Sequence, residues 1–218
     1  MDTTQLDMQP FHRGAEADLF LTKIGPWEAV IKRRVRKKYR IPQLDQRIRS
    51  ERTIREANAL SNAKRAGVRA PSVLSVDMEG FAIAMSFVDG EIARSCLDKL
   101  PRQEQSRVLH EIGQQIGALH ETGLVHGDMT TSNIIISRNG LPFILDFGMS
   151  VHSSDPEDRG IDLHLLQRSI STCHVLGSRR SEKLIREGYR REFGVREANI
   201  SFLRQKEIAR RGRYFAIR

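Results

Sequence analysis

Two carboxylates, an amide and a lysine, spread over three stretches of the chain, carry its first chemical signal. In His126-Gly127-Asp128-Met129-Thr130-Thr131-Ser132-Asn133 a single loop can present one carboxylate to an attacking oxygen and one amide oxygen to a metal ion. Asp146-Phe147-Gly148 follows the apolar run Pro142-Phe143-Ile144-Leu145, so a strand delivers a second carboxylate able to reach the same ion. Upstream, Ala29-Val30-Ile31-Lys32 ends on a lysine suited to the α and β phosphates of a nucleotide. Glu56 is its expected counter-charge in preference to Glu51, because Glu56 shares a helical face with Leu60 and Glu51 lies in a denser charge cluster. These are the parts that phosphoryl transfer from ATP needs. Asp128 reads as the base, Lys32 as the phosphate cation, and Asn133 and Asp146 as ligands of Mg2+, with Mn2+ as a substitute. Each motif recurs by chance alone, but their order, with a strand, a turn and a strand between them, is specific.

The surrounding pattern supplies elements to hold these residues. From Phe11 to Lys32, short apolar stretches alternate with turn signals at Arg13-Gly14-Ala15 and Gly25-Pro26, which predicts a three-stranded meander. From Asp45 to Ala66, Ile48, Ile54, Ala57 and Leu60 fall near helical spacing and predict an amphipathic helix packed on the sheet, stopped by Gly67. Residues 72–76 and 81–85 read as a further hairpin across Asp77-Met78-Glu79-Gly80. After Pro101 the pattern becomes helical, with Val108, Leu109, Ile112, Ile116 and Leu119 on one face until Gly123. Strands are expected at 133–136 and 142–145 across Arg138-Asn139-Gly140. Helices are expected from Asp162 to His174, burying Leu163, Leu166 and Ile170, and from Ser181 to Phe193. The class is α+β, with an N-terminal lobe over about 1–88, a C-terminal lobe over about 89–204 and a basic tail over about 205–218.

Among the 218 residues, 39% are hydrophobic and 29% charged, which suits a globular chain with a substantial core. Lys and Arg (36) outnumber Asp and Glu (27), for a net charge of +9 and a pI near 10.1, so an anionic partner is expected. Most of the excess lies from Arg179 onward, where 13 basic residues face 5 acidic ones. A second cluster runs from Lys32 to Arg40. Cys96 and Cys173 have no pairing frame and read as reduced core thiols. No apolar run approaches the length of a bilayer span, and Met1-Asp2-Thr3-Thr4-Gln5 lacks the marks of a secretion signal, so the expected location is cytoplasmic, with no membrane partner.

Taken together the motifs resemble the small atypical kinase subunit of the KEOPS complex, related to the RIO kinases. Gly14-Ala15-Glu16-Ala17 looks like that family's abbreviated nucleotide loop, and Lys38-Tyr39-Arg40-Ile41-Pro42-Gln43-Leu44-Asp45 like its linker. Arg52-Thr53-Ile54-Arg55-Glu56-Ala57 resembles the start of its lobe-bridging helix, and Glu157-Asp158-Arg159-Gly160-Ile161-Asp162-Leu163 its segment after Asp-Phe-Gly. The resemblance implies a small bilobal protein kinase-like fold, with a sheet lobe carrying one long helix and a reduced helical second lobe. It implies that Met85 is the gatekeeper behind adenine, that Ser86, Phe87 and Val88 form the hinge, and that Asp162 accepts amides of the catalytic loop. A helix N-cap is the plain alternative for Asp162. Ser86 differs from the acidic residue common at the hinge, and Gln167 and Ala209-Arg210-Arg211-Gly212-Arg213-Tyr214 also differ from the family wording.

Gly127 stands where kinases of the His-Arg-Asp type carry arginine, so no cation beside Asp128 awaits a phosphorylated activation loop. No Ala-Pro-Glu segment follows Gly148, which argues against broad peptide-kinase activity. The resemblance implies instead an ATPase or atypical Ser/Thr kinase that supports a TsaD-like subunit, and other KEOPS subunits, in making threonylcarbamoyladenosine on tRNA. Arg33, Arg34, Arg36, Lys37, Lys38 and Arg40, with Arg210, Arg211 and Arg213, are candidates to meet tRNA phosphate or an acidic partner groove. Ser150, Ser153 and Ser154 are candidate autophosphorylation sites. The competing readings are a phosphotransferase acting on a small molecule or lipopolysaccharide, which also fits a His-Gly-Asp loop, and a non-catalytic ATP-bound scaffold.

Overall fold

The structure, a computed structural model, describes residues 9–173 and 178–215. The architecture is α+β, and contacts divide it into two units: the chain through Asn58 together with Pro71–Phe87, and Ala59–Ala70 together with the chain from Val88 onward.

The first unit is an antiparallel sheet with strands β1 (His12–Arg13), β2 (Ala17–Ile24), β3 (Trp27–Arg34), β4 (Val73–Asp77) and β5 (Ala82–Ser86), and the first part of helix α1 (Pro42–Arg65). Its order is β1-β2-β3-β5-β4, so the expected meander and hairpin join through β3 and β5. β5 is internal and buried from Ala82 to Met85, whereas β2 buries Ala17 and Phe20 and exposes Leu21. The helix begins three residues before the expected Asp45, and its buried face differs from the expected one. Ile54 is exposed, and the buried positions include Asp45, Thr53 and Glu56 beside Ala57 and Leu60. The face carries charge because cations from the strand side neutralise it, so a purely apolar periodicity misplaces it.

The second unit contains β6 (Gly90–Ile92), α2 (Ala93–Cys96), α3 (Arg102–Glu121), β7 (Leu124–Val125), β8 (Ile134–Ser137), β9 (Pro142–Ile144) and β10 (Val151–His152). It ends with α4 (Pro156–Cys173), α5 (Ser178–Phe193) and α6 (Val195–Phe215). β6, β8 and β9 form one small sheet and β7 with β10 another. α3 buries Val108, Leu109, Ile112, Ile116 and Leu119, each such side chain contributing about 1.5–3 kcal/mol. It packs on α5 at a distance that only glycine permits. A Cβ on Gly113 would lie 2.1 Å from the Ile185 carbonyl oxygen, and one on Gly188 1.9 Å from that of His110. α4 starts at Pro156, ahead of the expected Asp162, because Pro suits a first turn and Glu157 and Asp158 favour that end. Its expected last residue, His174, lies outside the described residues, as do Met1–Gln5. α6 is absent from the sequence reading, and residues 205–215, expected as tail, continue it, with Gln205 buried. Its inner face mixes Ala198, Ser201, Phe202 and Gln205, too polar to announce itself. Cys96 is buried and Cys173 half-buried, both free, so Cys173 departs from the expected core position. Among the described residues, no helix is long and apolar enough to cross a membrane.

Candidate active site

In the first unit, β3 and α1 bring Lys32 to Glu56, with Lys32 Nζ donating to Glu56 Oε1 at 2.6 Å. Glu51 instead pairs at the surface with Arg47 at 2.7 Å. Arg34, two residues along β3, donates to the other oxygen of Glu56 at 2.6 Å. Sequence reasoning treated Arg34 as one of a basic run; the signal that singles it out is its same-face spacing from Lys32. Gly14–Ala17 forms the turn from β1 to β2, closed by the Gly14 N–H to the Ala17 carbonyl at 3.0 Å. Glu16 in this turn pairs with Arg52, and Arg52 holds its carboxyl below the usual range by hydrogen bond and charge, with Arg34 and Arg40 adding to it against partial burial. Met85 is buried at the end of β5. Ser86 exchanges backbone and side-chain hydrogen bonds with Ser72 at 2.9 Å, and the Phe87 N–H is committed to the Glu28 carbonyl. Val88 follows, half-buried, and belongs to the other unit.

In the second unit the His126–Asn133 loop follows β7. Asp162 is buried well inside α4, which removes the N-cap reading, and its two oxygens accept the N–H groups of His126 at 2.7 Å and Gly127 at 2.8 Å. Gly127 takes φ +80°, and a Cβ there would lie 2.4 Å from the Met149 carbonyl oxygen. Backbone geometry therefore demands glycine where an arginine would otherwise stand. His126 Nδ1 accepts the Asp128 N–H at 3.2 Å and its Nε2 donates to the Leu145 carbonyl at 2.8 Å, which fixes the neutral tautomer and ties the loop to the strand before Asp146. Thr131 meets Ser169 of α4 through both its N–H and its hydroxyl.

The loop leaves Asp128 exposed, and Asn133 Nδ2 donates to both its carboxylate (2.9 Å) and its carbonyl (2.8 Å). With Nδ2 bound to Asp128, the Asn133 Oδ1 keeps its acceptor capacity. Asp146, exposed after β9, adopts φ +56°, a left-handed conformation rare outside glycine, and accepts the Gly148 N–H at 3.2 Å. Asn133 and Asp146 thus offer only oxygen donors, the set that suits Mg2+ completed by phosphate and water. Behind Asp162 lies a network that sequence reasoning missed. His120 Nε2 sits 3.2 Å from Asp162, and His120 Nδ1 lies 2.8 Å from the Tyr189 hydroxyl. Burial pushes the Tyr189 phenol far above its ordinary value, so it stays protonated. Ser150 is buried and donates to the Phe147 carbonyl, which removes it from the candidate phosphoacceptors; Ser154 is exposed and Ser153 half-buried.

The sheet unit with its Lys32–Glu56 pair, and the helical unit with its clamped loop, define a kinase-like phosphotransferase. A sequence model described as the RIO domain matches residues 25–183, and the chain belongs to this family. Within it, the similarity is to the KEOPS complex subunit Bud32 of Pyrococcus abyssi, at 39% identity over 95% of this chain and 96% of that protein. Bud32 of Dictyostelium discoideum, an EKC/KEOPS complex subunit, is 38% identical over 74% of this chain and 67% of its own length. A probable bifunctional tRNA threonylcarbamoyladenosine biosynthesis protein of Methanococcus maripaludis (strain C7) is 37% identical over 93% of this chain. The chain spans about a third (35%) of that longer protein.

Proposed function

We propose that this protein is an ATPase and atypical Ser/Thr kinase of a KEOPS complex, supporting threonylcarbamoyladenosine formation on tRNA alongside a TsaD-like subunit. The observation that carries the reading is the loop pinned by Asp162, which presents an exposed Asp128 held by the Asn133 amide. Lys32, oriented by Glu56, would hold the α and β phosphates of ATP. Asn133 and Asp146 would hold Mg2+, which supplies charge neutralisation across the phosphates. Asp128 would accept the proton of the attacking water or hydroxyl, and Asn133 Nδ2 keeps its carboxylate aimed. Gly14–Ala17 would cover the phosphates, and Met85 to Val88 would meet adenine. Between β10 and α4 only residues 153–155 intervene, too few for an extended peptide-docking segment, and this favours water or a tethered hydroxyl as acceptor.

The names of the relatives support the KEOPS and tRNA setting, and the absence of a transmembrane helix among the described residues is compatible with the cytoplasm. The test is Mg2+-dependent ATP turnover measured with and without a TsaD-like partner and tRNA. Stimulation by the partner, abolished in Asp146→Ala and Asp128→Ala, is the expected result. Unchanged turnover in Asp146→Ala sinks the mechanism. Normal tRNA modification by Asp128→Ala would favour the scaffold reading, and efficient phosphorylation of a metabolite without any partner would favour the small-molecule kinase.

A further inference from the structure

The basic run from Lys32 to Arg40 divides into two sets. Arg33, Arg36 and Lys38 are exposed, whereas Arg34 is buried and Lys37 and Arg40 are half-buried. The inward set meets Arg49 and Arg52 of α1 around a shallow surface concavity, lined also by Glu16, Val35 and Ile48. All of these residues belong to the first unit.

The charge on its walls does not balance. Five cations, Arg34, Lys37, Arg40, Arg49 and Arg52, line it beside one carboxylate, Glu16, while Asp45 and Glu56 pair with Arg49 and Arg34 from behind the lining. Glu56 is moreover shared with Lys32. Two cations are weakly matched. Arg40 reaches Asp45 only at 3.9 Å, and Lys37 Nζ donates to the neutral carbonyl of Ala15. Asp45 is already committed to Arg49 at 2.8 Å and to the Lys37 N–H at 3.1 Å. Those hydrogen bonds and the charges of Arg49 and Arg40 outweigh its burial and keep it ionised. Even with Asp45 and Glu56 counted, the cations outnumber the carboxylates inside a partly desolvated wall, where a compact dianion is worth most.

We propose that this concavity binds a phosphate dianion, as inorganic phosphate or a phosphate monoester, at a site separate from the nucleotide. Arg40 and Lys37 are its chief ligands, with Arg52 and Arg49 closing the sides. A dianion fits better than a phosphodiester backbone, because the excess positive charge is gathered in one small concavity and not along a groove.

The test is calorimetric titration of the full chain with inorganic phosphate and separately with phosphoserine, each under saturating Mg2+ and a non-hydrolysable ATP analogue. One equivalent should bind under those conditions, and Arg40→Gln/Lys37→Gln should weaken it at least tenfold. Stronger binding of phosphoserine than of inorganic phosphate would identify a phosphorylated residue as the source, and the reverse order the free ion. Circular dichroism checks the fold of the double variant; should it unfold, Arg40→Glu alone gives the same reading. Loss of binding under nucleotide saturation, equal binding by the variant, or displacement by a phosphodiester oligonucleotide alone would each overturn the proposal.

Discussion

Asp162 accepts the Gly127 N–H at 2.8 Å, so a residue inside α4 sets the conformation of the loop one position before the candidate base. Its second oxygen serves both the His126 N–H and His120. Asp162→Ala strands the buried His126 amide, the half-buried Gly127 amide and a buried imidazole, at a cost of about 3–5 kcal/mol in unfolding free energy. Denaturant unfolding should show this loss, and ATP turnover should fall with it. Asp162→Asn, which retains one acceptor, should lie between the alanine variant and wild type in both measurements.

Glu56 separates a structural from a catalytic effect. Its side chain is 1% exposed and receives both Lys32 and the buried Arg34. Glu56→Gln removes the close charge partner of Arg34, leaving Glu16 at 3.9 Å, and should cost about 3–5 kcal/mol in stability. Lys32→Met leaves the Arg34–Glu56 pair intact, so thermal melting should move little while ATP affinity or turnover collapses. Equal destabilisation by the two variants would contradict this division.

Two glycine substitutions should fail for different reasons. Gly127→Ala meets a left-handed φ worth about 1–2 kcal/mol, plus the Met149 carbonyl, and should lower turnover more than stability. Gly188→Ala pushes α5 off α3 and should cost at least about 1–3 kcal/mol, visible in the melting temperature.

Acid should loosen the Gly14–Ala17 turn through Glu16. Its folded carboxyl is held below the unfolded value of about 4.3, so its contribution is present above that pH and is lost as pH falls through the folded value. Glu16 is largely exposed, which limits the effect to less than about 1 kcal/mol. Arg52→Gln should remove most of this contribution, and stability curves of variant and wild type should converge as pH falls through the folded value.

Much of the site was readable because its residues are close in sequence or fall on strict periods. Asp128 and Asn133 share one loop, Asp146 ends an apolar strand, and Lys32 ends another. Glu56 was readable by its helical position, though the face was misjudged: Ile54 points outward and Asp45 inward, since ion pairing and not apolar contact covers that side of α1. α6 was missed for a related reason, its buried face being carried by Ala198, Ser201 and Gln205.

The sequence by itself determined the family, the α+β order of elements, and the chemical groups offered to ATP, because these depend on local pattern and residue type. Beyond the Lys32–Glu56 pair, tertiary structure alone decided which charges and buried polar groups meet. It joined Arg34 to Glu56 across 22 positions, His120 to Tyr189 across 69, and Arg40, Lys37 and Arg52 around one concavity. Such pairings follow from how strands and helices pack, and a string of basic residues looks the same whether its members face solvent or each other.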